Sequence, residues 1–184
     1  KAFYPVVERE VLRTPFCRLL RFKRFSDQAE GIVDLKNDPP VLVVAGYFDR
    51  VGGPAGLPSH GVAMWNGTAW QTFSVDVSPV LSQYSPVSTI EVFNGQLYIG
   101  GYFLADGNPT PMSVARWTGT NWQQVGGAFT DNATTPFPYV RDLHVHNGQL
   151  FACGGFTGNG GLPMYGVARL SGATWVTMAA ASDP

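Results

Sequence analysis

The chain repeats itself three times at a period of about 53 residues, and this periodicity restricts the possible folds more than any other feature. Gly46-Tyr47-Phe48, Gly101-Tyr102-Phe103 and Gly154-Gly155-Phe156 begin 55 and 53 residues apart. Val62-Ala63-Met64-Trp65, Val114-Ala115-Arg116-Trp117 and Val167-Ala168-Arg169-Leu170 follow at intervals of 52 and 53. Trp70, Trp122 and Trp175 each fall five residues after those runs, and Asn94-Gly95-Gln96-Leu97 returns as Asn147-Gly148-Gln149-Leu150. A unit of this size is one supersecondary block that buries its apolar surface only against its neighbours.

The middle unit reads as four strands. In Ser88 to Phe93, Ile90 and Val92 alternate with Glu91, as in a half-buried strand. Asn94-Gly95 is a strong hairpin signal, because both central positions of the favoured turn need positive φ. Gln96 to Phe103 forms the second strand and passes through Gly100-Gly101, where a neighbouring backbone or ring can approach closely. Ser113 to Trp117 and Asn121 to Val125 are the third and fourth strands, joined by a tight turn at Thr118-Gly119-Thr120. The template also fits Tyr139 to Met178, with strands at Val140 to His146, Gln149 to Phe156, Gly166 to Leu170 and Thr174 to Thr177. In the first unit, Gly31 to Leu35, Val41 to Phe48, Gly61 to Trp65 and Ala69 to Phe73 take these places.

The expected class is therefore all-β, with four antiparallel strands in series per unit, the meander of a β-propeller blade. Gly100-Gly101 with Trp117 and Trp122, and Gly154-Gly155 with Leu170 and Trp175, resemble the kelch repeat. That repeat has a Gly pair ending its second strand, an aromatic on the third and a Trp on the fourth. The first unit departs by carrying Ala45-Gly46, and the last by carrying Leu170 in the aromatic position. The resemblance is to galactose-oxidase-type and secreted bacterial propellers, and it implies blades at 31–73, 88–125 and 139–178. Closed propellers typically have about four to eight blades. Three imply either a partial propeller or copies that close a ring together, and a start without Met and an end at Ala181-Ser182-Asp183-Pro184 favour a fragment. Residues 1–30 lie outside the template. They read as a basic, poorly ordered leader, as an amphipathic helix interrupted near Pro15, or as a strand of a neighbouring blade. Residues 179–184 read as a tail.

Composition narrows the partners. Formal net charge is −1, which gives a nucleic-acid partner no electrostatic support. Seven of the twelve Lys and Arg residues precede residue 25, leaving the repeats nearly free of lysine. No apolar run reaches the length of a membrane-spanning helix. Cys17 and Cys153 make no disulfide framework. Low lysine, abundant aromatics and the sequons Asn66-Gly67-Thr68 and Asn132-Ala133-Thr134 lean towards an extracellular or cell-surface protein.

Meander order places the second-to-third loops and the links between units on one end, and these are the long connections. Loops held by a rigid scaffold are where binding residues concentrate. The candidate binding face comprises Asp49, Arg50, His60, Tyr84, Asp106, Asn108, Asp131, Asn132, Arg141, Asn159 and Tyr165. Such groups suit a protein or a carbohydrate ligand, although turn chemistry alone explains most of the Asn and Asp. No catalytic, metal or cofactor-binding constellation is readable, and no cofactor is implied. His144 and His146 share a strand face but read as surface, Cys153 reads as a small core residue, and the repeated Trp residues read as core. The expectation is a non-catalytic binding or scaffold module. The alternatives are a fragment of a propeller enzyme, galactose-oxidase-like or glycan-active, with its catalytic residues in absent blades, and a cell-surface assembly protein self-associating through open blade edges.

Overall fold

The two Asn-Gly pairs turn the chain as their residue types require. Asn94 and Gly95 take φ of 51° and 73°, and Asn147 and Gly148 take 48° and 70°. These are the left-handed conformations of a two-residue hairpin whose twist matches its strands. The structure is a computed structural model that describes residues 9–14, 17–21, 42–73, 77–79, 87–105, 108–131 and 138–178. Among the described residues all regular structure is β, and no helix is long and apolar enough to cross a membrane.

The first sheet contains β1 (Arg9–Thr14), β2 (Cys17–Arg21), β3 (Leu42–Gly46), β6 (Val62–Trp65) and β7 (Trp70–Gln71) in that spatial order. A separate ribbon, β4 (Arg50–Val51) with β5 (Leu57–Pro58), forms within the loop between β3 and β6. The second sheet is built on the long β10 (Gln96–Ala105), which carries β9 (Val87–Phe93) and the short β8 (Val77–Pro79) as further partners. It continues through β11 (Met112–Trp117) to β12 (Trp122–Gln124). The third is the meander β14 (Tyr139–His146), β15 (Gln149–Gly155), β18 (Val167–Ser171) and β19 (Thr174–Thr177). A small ribbon, β13 (Phe129–Thr130), β16 (Gly158–Asn159) and β17 (Leu162–Pro163), joins the second link to the last long loop. Among the described residues all pairings are antiparallel.

β1 and β2 are thus paired strands of the first sheet, with Leu19 opposite Val44 and Leu20 opposite Val43. Cys17–Arg21 occupies the place beside β3 that the repeat template gives to Gly31–Leu35, and residues 31–35 lie outside the described residues. The proposed tail at 179–184 lies outside them too.

The middle sheet is buried on both faces because its alternate residues enter two different cores. Ile90, Ile99, Ala115 and Trp122 pack with Val43, Ala45 and Val62 of the first sheet. Tyr98, Val114, Val125 and Phe129 pack with Leu143, Leu150, Ala152, Ala168 and Trp175 of the third. Period-two alternation that is apolar on both faces is what a sheet sandwiched between two others requires. Val44 and Ala63 turn to the remaining face of the first sheet, with Leu42 and Trp70 beside them.

The sheets are set in a curled array rather than a flat stack. Backbones of neighbouring sheets come closest along their early strands, β9 and β10 against β14 and β3 against β9. At Gly100 an added Cβ would stand 2.7 Å from Thr89 Cγ2 and 2.8 Å from Val140 Cγ1. Towards the later strands the separation is filled by indoles. Trp122 packs on Phe73 with ring centroids 4.9 Å apart, and Trp175 packs on Phe129 at 5.4 Å. Close backbone approach along the early strands and indoles between the later ones make each core a wedge.

Candidate functional site

Antiparallel order carries the long connections, 47–61, 108–111 and 156–166, to one end of the sheets. The tight turns at 66–69, 94–95, 118–121, 147–148 and 172–173 go to the other. Tyr84, Asp106 and Asn132 of the expected binding face lie outside the described residues. Of the other eight, several have internal duties.

Arg50 donates from Nη1 to the Gly56 carbonyl at 2.7 Å and closes its own ribbon. Asn108 accepts the Thr110 N–H at 3.0 Å in a local turn. Asn159 is buried, and its Nδ2 donates to the Gly127 and Ala128 carbonyls at 3.3 and 3.1 Å, fastening β16 to the preceding link. It therefore serves the scaffold, because a buried amide must spend its donors on the nearest orphan carbonyls. Arg141 lies over the Tyr139 ring at 5.1 Å and donates to its hydroxyl at 2.8 and 2.6 Å. Asp49 is exposed, His60 and Asp131 are half-buried, and Tyr165 is 78% exposed.

Three exposed side chains at this end are absent from the expected set. Tyr47 opens the first long loop, and Leu57 and Leu162 sit at equivalent places on β5 and β17. The signal was a second repeated string, Gly56-Leu57-Pro58 and Gly161-Leu162-Pro163, each followed three residues later by Gly-Val-Ala. An apolar residue kept in an otherwise polar loop, yet exposed, is unlike a turn residue.

An open groove of about 580 Å³ runs along the outer edge of the middle sheet. Asn108 and Thr110 line one end, Thr118 and Asn121 the other, with Gln123 and Gln124 between. Its lining is uncharged, amide and hydroxyl groups that offer donors and acceptors together with Met112 and Trp122. Gln123 is held in place by Arg116, whose Nε and Nη2 donate to its Oε1 at 3.1 and 2.8 Å.

A polar ladder joins the first strands of the second and third sheets. The Ser88 hydroxyl donates to the Val140 carbonyl, and Thr89 Oγ1 donates to Asp142 Oδ1 at 2.9 Å. Thr89 Oγ1 also accepts the Leu143 N–H at 3.2 Å. Glu91, which alternation places on an open strand face, is only 2% exposed because β14 crosses it, and its Oε2 stands 3.9 Å from His144 Nδ1. His144 and His146 are exposed, and no three His, Cys, Asp or Glu side chains converge among the described residues. Thr89→Val, which keeps the shape and removes both bonds, is expected to cost about 1–3 kcal/mol in chemical denaturation. Thr89→Ser should recover most of it, and equal losses in the two variants would assign the effect to packing.

Cys153 is exposed, contrary to its reading as a core residue, because it lies on a face of the third sheet that no other sheet covers among the described residues. Partial desolvation of its sulfur, and then the Asp142 carboxylate, push its pKa up. At neutral pH it is a thiol rather than an activated thiolate.

No family model matches the chain, and no curated protein or solved structure does.

Proposed function

We propose that the chain is a run of kelch-like propeller blades and acts as a non-catalytic binding module of an exported or cell-surface protein. In this reading its partner is a protein surface met at the long-loop end. The observation that carries it is the set of exposed apolar side chains there, Tyr47, Leu57, Leu162 and Tyr165, of which Leu57 and Leu162 stand on the small ribbons. Aromatic and aliphatic anchors on a preorganised support are how a protein interface gains affinity without a large ordering cost. The wedge-shaped cores support the blade reading, since sheets that converge on one side and splay on the other are arranged radially. Trp175, 1% exposed, is not available as a sugar-stacking ring.

A carbohydrate reading rests on a different observation, the uncharged groove between Asn108 and Gln124. The two are separated by selecting binders from a displayed peptide library and by probing a neutral glycan array with the same labelled chain. Peptide binders weakened about tenfold or more by Leu162→Asp, a loss of about 1.4 kcal/mol, support the loop-end reading. Glycan binding lost in Asn108→Ala and Gln123→Ala would replace it with the groove. Binding of either class that ignores all three substitutions would overturn both.

A further inference from the structure

The tight turn at 66–69 holds more chemistry than a turn of its kind needs. Asn66 Oδ1 accepts the N–H groups of Thr68 and Ala69 at 2.9 and 2.8 Å, and the Thr68 hydroxyl donates to the same oxygen at 2.9 Å. The Asn66 N–H donates to the Ala69 carbonyl at 3.2 Å and closes the hairpin. In the middle unit the turn at 118–121 is capped by a single hydroxyl. Thr118 Oγ1 accepts the N–H groups of Thr120 and Asn121 at 3.5 and 3.1 Å. One acceptor oxygen at the first position is thus all that this turn asks of its side chain. An amide brings a second group, Nδ2, with two donors of its own. With Oδ1 turned in to the turn, Nδ2 is left over, and it has no hydrogen-bond partner among the described residues.

The surroundings leave that nitrogen room. Gly67, Thr68 and Ala69 are exposed, and Gly67, with φ of +101°, has nothing within 4 Å of the place where a Cβ would stand. The turn belongs to the end of the sheets opposite the long loops. The order of amide and hydroxyl in Asn66-Gly67-Thr68 is the acceptor pattern for sugar transfer to asparagine, which requires a surface segment of an exported chain.

We propose that Asn66 is a site of N-linked glycosylation, with Nδ2 as the acceptor atom and a lipid diphosphate-linked oligosaccharide as the donor. In the transfer Nδ2 forms a bond to the anomeric carbon, and the bond from that carbon to the diphosphate oxygen breaks. Nδ2 gives up one proton, and the lipid diphosphate leaves. The glycan then stands at the tight-turn end and leaves Tyr47, Leu57, Leu162 and Tyr165 uncovered. Such a modification rests on the exported reading of the chain but not on what the loop end binds.

The whole chain, produced behind a cleavable secretion leader in a eukaryotic cell, provides the test. Chain from the secretory lumen and the medium is digested and mass-mapped before and after an amidase that cleaves the sugar–asparagine bond and leaves an aspartate. The peptide carrying Asn66 is expected to bear sugar in most molecules and to lose it to the amidase. Thr68→Ala keeps the amide and removes the hydroxyl, so it should abolish the modification, while Thr68→Ser should retain it. Asn132-Ala133-Thr134 falls on a different peptide and is scored separately. An unmodified Asn66 in the lumenal chain overturns the proposal, and so does sugar on Asn66 that survives Thr68→Ala. The supplied leader delivers the chain whatever its own export signal, so a negative result speaks against the acceptor site and not against export. Peptide binding is measured on the same material. Its absence with Asn66 modified would overturn the loop-end partner and leave the Asn66 assignment standing.

Discussion

Trp175→Ala is expected to destabilise the chain by about 3–5 kcal/mol, read as a shift of the denaturation midpoint. The indole is 1% exposed, packs on Phe129 and donates to the Val125 carbonyl. Truncation thus opens a cavity at the widest part of the wedge and removes a buried bond across two sheets. Trp175→Phe separates these contributions, since it keeps much of the ring volume and loses the donor. It should cost clearly less than Ala but more than about 1 kcal/mol, the net value of a typical internal hydrogen bond. Trp122→Ala in the other core should fall in the same range as Trp175→Ala, because that residue fills the same place between the first two sheets. A loss below about 1 kcal/mol for either Trp→Ala change would mean that the indole is not part of a sealed core.

Gly126→Ala is the second large effect, expected at about 2–4 kcal/mol from two separate causes. Gly126 has φ of +70°, and an added Cβ would fall 2.4 Å from Trp175 Cδ1 and 2.6 Å from Nε1. Neither ring atom can yield without lifting the indole from its core. Gly95→Ala is the control, with φ of +73° and open space where its Cβ would go. It should show only the backbone cost of about 1–2 kcal/mol. If the two substitutions cost the same, the approach of Trp175 to Gly126 contributes nothing, and the contact described here is loose.

The strands were legible because their signals are local. Asn94-Gly95 and Asn147-Gly148 announce hairpins by backbone conformation alone, and Leu97 to Ile99 alternates as a strand does. Trp122 and Trp175 were legible as core for a different reason, since recurrence at fixed spacing marks a residue that the unit itself uses. What escaped depended on which sheet lies beside which. Glu91 looks exposed on its own strand and is buried by β14, while Cys153 looks buried and is exposed because no other described sheet covers its face. The pairing of Cys17–Arg21 with β3 was hidden because those residues carry no copy of the repeat. The candidate site was the least legible part. Asn159 and Arg50 read as ligand-facing loop residues, yet their hydrogen bonds are directed inward to carbonyls that only the folded ribbons bring near.

The division of the interior into two cores has a consequence for how the molecule comes into being. Every buried residue of the core between the first two sheets lies from Val43 to Trp122, and that of the next from Tyr98 to Trp175. Every residue of the first core is therefore synthesised before any strand of the third sheet. The third sheet arrives at a surface already formed, and its Trp175 meets Val125 and Gly126 as a key meets a finished lock. Synthesis and folding can advance together, one sheet behind the growing end, without the two ends of the chain having to find each other first.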